Sequence, residues 1–179
     1  KNDVLTLIPY YAWNHRGAGN MMVWLPSELT ATSPQRQPTL ASTSKIDAST
    51  KTETLLAIND GLVPKDKDDR SIPYYHWWPK QNTTEWVSYT FPVETEVSRA
   101  SVSWFDDAPW GGCRVPKSWT LYYKDAAGAW QPVKNADHYG VAAGQSNEVN
   151  FDPVKTTSMK LEVVLPEKYS AGIFEWELK

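Results

Sequence analysis

The chain has 179 residues, 41% hydrophobic and 22% charged, enough to bury one ordinary core with an appendage and too few for two full domains. Lys and Arg number 18 against 21 Asp and Glu, a formal net charge of −3, which supplies no general field for a phosphate backbone and argues against nucleic acid as a partner. One cysteine, Cys113, excludes an internal disulfide framework and an all-cysteine metal site, and no apolar run approaches the roughly 18 residues that a membrane span needs.

The unusual feature is aromatic: 10 Trp and 9 Tyr against 4 Phe. Indole and phenol rings join a broad flat face to a polar handle and suit places where one side stays wet. Thirteen prolines and the absence of a heptad pattern argue against a helical protein. The chain opens at Lys1 in strand-like residues without a charged-then-apolar leader, and reads as a mature piece or an excised fragment.

In chain order, VLTLIPYYAW (4–13) and NMMVWL (20–25) form a strand pair around the glycine-containing turn NHRGAG. Residues 27–51 turn to Ser, Thr, Pro and Gln and read as a linker or a surface-hugging strap. ETLLAIN (53–59) makes a short helical turn that Asp60 and Gly61 stop, and a long charged loop follows. Period-two segments then occupy 85–91, 96–105, 118–124, 129–133, 147–151, 158–165 and 172–178. Seven short strands between turn residues predict an all-β sandwich. In EVSRASVSWF, Val97 falls out of step with Val102 and Trp104, which predicts a bulge or register shift.

The densest chemistry lies in WFDDAPWGGCRVPKSW (104–119), a Gly- and Pro-rich excursion between two strands. Asp106 and Asp107 can accept hydrogen bonds from hydroxyls, Arg114 can donate several in a rigid fork, and Trp110, between Pro and Gly, can offer a ring face. Together they suit a sugar, which presents C–H groups on one face and hydroxyls around its edge. The structural alternative is an Asp–Arg ion pair that pins the loop, with Trp104 and Trp119 in the core. In SIPYYHWWPK (71–80), Trp77 and Trp78 cannot both face the core of an extended segment, so one reaches solvent, unless the loop folds under itself and covers both. His15, His76 and His138 have no metal spacing. The neighbouring carboxylates Asp106 and Asp107 diverge on a strand and do not form a glycosidase pair, and Cys113 has no local base. The chain is therefore expected not to be an enzyme.

The order LLAINDG, TTEWVSYTFP, VSWFDD, RVPKSWTLYYKD, FDPVKTTSMKLEVVLP and GIFEWEL resembles the discoidin, or coagulation factor five/eight C-type, module over residues 52–179. The resemblance implies a galactose-binding-like jelly-roll β-sandwich, often a carbohydrate-binding module appended to a glycosidase. It implies a structural calcium near the Asp60–Gly61 turn and Glu175. Carried over, its binding end draws on Trp77 and Trp78, on Asp106, Asp107, Trp110 and Arg114, on His138 and Tyr139, and on residues 168–171. The loop 62–81 departs from the pattern by its length. LTLIPYYAWNHRGAGNMMVWLP (5–26), followed by a spacer and this module, resembles the C-terminal end of bacterial glycoside hydrolases of families 127 and 146, the beta-L-arabinofuranosidase group. Residues 1–26 are then the last strands of a preceding β-sandwich domain. That group resemblance implies an upstream catalytic domain with a glutamate and a zinc-bound cysteine cluster, absent from this sequence. It also implies export to the periplasm or cell surface and a plant-type or other complex glycan as partner. The competing expectation is a structural module that packs against the parent catalytic domain without binding sugar.

Overall fold

The computed structural model describes residues 37–179, so the strand pair expected in residues 4–25 lies outside the described residues. Seven strands follow in order: β1 Lys45–Ala48, β2 Tyr75–His76, β3 Thr84–Phe105, β4 Ser118–Lys124, β5 Trp130–Pro132, β6 Ser146–Val164 and β7 Gly172–Leu178, with a 3-10 helix at Leu55–Asn59.

Two long strands organise the rest. β3 and β6 pair antiparallel from Thr84 opposite Val164 to Ser103 opposite Ser146, with register shifts between Thr90 and Thr95 and between Val97 and Arg99. Pro92 and Pro153 fall at these irregularities, where a residue without an N–H costs the ladder least. The four separate segments expected at 85–91, 96–105, 147–151 and 158–165 are therefore two continuous strands. Each half of β3 has its own outer neighbour: β1 pairs with residues 87–90 and β7 with residues 100–105. β4 pairs with the second half of β6, and β2 and β5 complete the order β2-β7-β3-β6-β4-β5. One antiparallel sheet thus makes an all-β jelly-roll sandwich.

β1 lies within the stretch read as linker or strap. Its register places Lys45 opposite Thr90 and Ala48 opposite Val87. Four residues in a Ser- and Thr-rich context carry too little alternation to announce a strand. The compact unit that contains the sandwich begins at Gln37.

Alternation fills the core. Val87, Tyr89 and Phe91 of β3 point inward with Met159, Leu161 and Val163 of β6 and with Trp119 and Leu121 of β4. Past the shift at Val97, the inward set becomes Ala100, Val102 and Trp104, the expected change of step. Tyr89 stacks on Trp176 with ring centroids 4.3 Å apart and donates its buried hydroxyl to the carbonyls of Ile58 (3.1 Å) and Trp176 (2.9 Å). Trp104 and Trp119 meet edge to face at 5.7 Å.

The topology also builds one loop-rich end. Residues 165–171 connect the end of β6, beside Thr84, to the start of β7, beside Phe105. Seven residues span at most about 25 Å, so both ends of β3 stand at the same rim of the sandwich. Residues 77–83, 106–117 and 165–171 gather there.

Candidate functional site

The loop 106–117 is held by its own carboxylates. Asp106 accepts from the Ala108 amide (2.8 Å), the Val115 amide (3.4 Å) and the Lys67 ammonium (3.2 Å). Asp107 Oδ1 accepts from the Cys113 amide (2.8 Å) and from Arg114 Nη1 (3.2 Å), while Arg70 Nη2 stands 3.5 Å from Oδ2. Both carboxylates are buried. Arg114 also donates to the carbonyls of Gly111 (3.0 Å) and Cys113 (2.6 Å), and its guanidinium lies 4.2 Å from the Tyr169 ring centroid. The Asp–Arg pair is thus the loop pin that the sequence offered as the alternative to a sugar contact. Asp106 spends its hydrogen bonds on the loop and Lys67, and Arg114 on the loop; Asp107 does so through Oδ1, while its Oδ2 lies against Gly111 and within 3.5 Å of Arg70.

Trp77 and Trp78 divide between core and solvent just past β2, where the chain enters a turn at Trp78. Trp77 is fully buried, edge to face with Tyr75 at 5.1 Å, and Trp78 is 50% exposed. The placement of Trp77 removes it from any binding surface. The Trp78 indole lies against the backbone of the loop 106–117: a Cβ on Gly112 would stand 2.3 Å from Trp78 Cζ3, so the glycine is what admits the ring. Trp110 is 93% exposed and Tyr169 39% exposed. Three loops thus present uncovered rings at one rim.

Beside Trp78 lies a pocket of ≈ 200 Å³ lined by Tyr74, His76, Trp78, Phe105, Asp107, Gly112 and Cys113. Trp110 stands outside this lining. Burial lowers the His76 imidazole below its usual range, keeping the ring neutral at pH 7, and its Nδ1 has no hydrogen-bond partner. Burial pushes the Cys113 thiol up to about 12, with the charge of Asp107 adding to the effect, so it is a protonated part of the floor.

His138 and Tyr139 do not join this lining. Their segment runs beside β6, with the Asp137 amide donating to Asn150 (2.9 Å) and Trp119 Nε1 donating to Gly140 (2.7 Å). Tyr139 packs edge to face on Trp119 at 4.8 Å and is a core-closing residue, while His138 is exposed on that flank.

Asp60 and Glu175 do come together. The Gly61 amide donates to Glu175 Oε2 (2.7 Å), and Gly61 takes φ 69°, a conformation suited to glycine. Glu175 Oε1 is buried without a hydrogen-bond partner, and burial, with the charges of Glu177 and Asp60, pushes this carboxyl well above the usual carboxylate range. An orphaned acidic oxygen of this kind fits a hard cation. Among the described residues no group of three or more His, Cys, Asp or Glu side chains is placed to hold a metal ion, so further ligands would have to be backbone carbonyls or water.

Tyr169 lies in the stretch 168–171 that the resemblance assigned to the binding end; Lys67, Arg70, Tyr74 and Phe105 were not singled out by sequence. They converge on the rim from separate loops and strand ends, and the Gly111–Gly112 doublet was the one local sign of a close approach there.

Comparisons with known proteins agree with this architecture. A structure from the Streptococcus pneumoniae beta-galactosidase BgaA superposes with a TM-score of 0.65 at 21% identity, over 79% of this chain and 94% of that one. The family 32 carbohydrate-binding module from Clostridium perfringens NanJ, in complex with galactose, gives 0.57 at 15% identity over 78% and 95%. The family 32 carbohydrate-binding module from Streptococcus pneumoniae EndoD gives 0.57 at 17% over 79% and 99%. The described residues carry the discoidin-like, galactose-binding-like fold. Residues 2–26 match the model for the "Glycoside hydrolase family 127 C-terminal domain", in agreement with the resemblance carried by residues 5–26. Among the described residues no helix is long and apolar enough to cross a membrane.

Proposed function

We propose that the sandwich is a non-catalytic carbohydrate-binding accessory module of a secreted glycoside hydrolase, and that it takes glycan at the rim. The observation that carries this reading is the half-exposed Trp78 ring at the edge of a pocket that also presents Asp107 and His76, with the bare Trp110 indole nearby. The C–H face of a pyranose lies on Trp78, and a hydroxyl donates to Asp107 Oδ2, whose other oxygen is already committed to the loop. The parent is a beta-L-arabinofuranosidase-type enzyme of the periplasm or cell surface, its upstream catalytic domain lies in the same polypeptide, and its glycans are of plant type. Matches to carbohydrate-binding modules support the binding role, and the match at residues 2–26 supports the parent.

Affinity gels containing plant arabinan, galactan and related neutral glycans test the reading. Wild-type protein is expected to be retarded on at least one of them, with at least a tenfold loss of affinity in Trp78→Ala and a smaller loss in Trp110→Ala, thermal unfolding of both variants remaining cooperative. Equal migration of wild type and both variants on every gel overturns it.

Calcium belongs to the same proposal as a structural ion held by Glu175 and Asp60, where it would neutralise buried carboxylate charge. Thermal melts in EDTA and in millimolar calcium check this. Calcium is expected to raise Tm of the wild type and not of Glu175→Gln, and superimposable wild-type melts overturn the assignment.

A further inference from the structure

A second concavity lies away from the rim. It lies on the outer face of the sheet, where β1, β3, β6, β4 and β5 run side by side, and has a volume of ≈ 510 Å³. Outward positions in register build it: Asp47 lies opposite Ser88, Ser88 opposite Lys160, Thr90 opposite Ser158, and Lys124 opposite Trp130. Five adjacent strands make the trough about 19 Å across at the usual strand spacing. Its middle is lined by the short side chains of Ser88, Thr90 and Ser158, while the half-buried indoles of Trp86 and Trp130 rise from separate strands.

The charge of this face opposes that of the chain. Three ammonium groups, Lys45, Lys124 and Lys160, border the trough against one carboxylate, Asp47, in a chain of net charge −3. Asp47 is paired with Lys51 (3.0 Å) outside the lining. Lys160 is held close to the wall, 4.4 Å from the Tyr122 ring centroid, 5.5 Å from that of Trp130 and 2.9 Å from Glu162. Lys124 lies 5.2 Å from the Trp130 centroid and forms no ion pair among the described residues. Cations fixed against flat rings offer stacking and a point charge within one sugar's reach.

We infer that this sheet face is a second binding site, separate from the rim, for an acidic glycan whose uronate rings stack on Trp130 and Trp86 while their carboxylates meet Lys124 and Lys160. A volume of this size is within the range of a small-ligand site. A neutral sugar would gain the stacking alone, whereas a uronate also answers the Lys124 ammonium, which has no ion pair among the described residues.

The test uses the whole chain on affinity gels containing polygalacturonate, with fully methyl-esterified polygalacturonate as the uncharged control. Wild type is expected to be retarded by the acidic polymer, with retardation falling as salt rises. Affinity should fall at least tenfold in Trp130→Ala and in the double variant Lys124→Gln/Lys160→Gln, and stay within twofold of wild type in Trp78→Ala. The double variant changes half-buried residues of the outer sheet face, outside the core, and keeps the test open if Trp130→Ala fails to fold. Equal retardation by the esterified polymer, undiminished binding of the double variant, absence of retardation of wild type, or loss of binding in Trp78→Ala each overturns the inference. Because the rim reading is tested with neutral glycans and rim variants, the two can fail independently.

Discussion

The rim and the sheet face each display two indoles, but they reach that state by different routes. At the rim, loops carry Trp78 and Trp110, and a set of buried carboxylates and guanidinium groups keeps those loops in place. On the sheet face, Trp86 and Trp130 are placed by strand register; around them Lys160 pairs with Glu162, Asp47 with Lys51 and Ser158 with Thr90, while Lys124 forms no ion pair among the described residues. A loop site can be altered by one residue that pins it. A strand site is sensitive to the residues that line it.

The sharpest way to break this contrast is Asp107→Ala. It leaves Arg114 and the Cys113 amide without their acceptor in a buried setting, a loss of about 3 kcal/mol, or roughly 6–12 °C in Tm for a chain this size. Calorimetry measures the shift, and neutral-glycan binding at the rim should vanish while polygalacturonate retardation persists. A smaller effect is expected from Gly112→Ala, where the added methyl meets Trp78 at 2.3 Å. The indole must move, and rim affinity should fall about tenfold, the equivalent of ~1.4 kcal/mol, with the sheet face unaffected. Isothermal titration with both glycans separates the two. The least effect concerns pH. His76 has its pKa lowered by burial, so the folded state binds the proton less readily than the unfolded chain. Its contribution to stability is complete above the unfolded value, about 6.5, and drains away as pH falls from there through the lowered folded value. Tm should decline by a few degrees across that window in wild type and less in His76→Phe, as followed by circular dichroism.

Much of this was readable from residues because a strand with one buried face must alternate. EWVSYTF and MKLEVV announce their inward sets, and the adjacent pair at 77 and 78 splits between core and solvent, although at a turn and not along a strand. Trp110, between proline and glycine, is as exposed as those neighbours suggest. Pro92 and Pro153 misled, since they read as strand ends although the chain bends and continues. An Asp–Arg pin of this loop was legible, but the approach of Arg70 to Asp107 was not, because Arg70 is brought in from a distant loop. His138 and Tyr139 were close in pattern to a binding loop and instead follow β6. The sheet-face trough escaped notice for the same reason: Lys45, Trp86, Lys124, Trp130 and Lys160 are far apart in sequence and meet only through the pairing of five strands.

The continuous ribbon made by β3 and β6 also constrains how the chain can acquire its structure. Strands β1, β4 and β7 all pair against that ribbon, yet its two members are separated by some 40 residues that contain β4 and β5. Closure of a large loop must come before most other pairings are rewarded, which places the module among the slow, non-local folders with times of milliseconds to seconds. Once that hairpin is seated, the remaining strands add to an existing template.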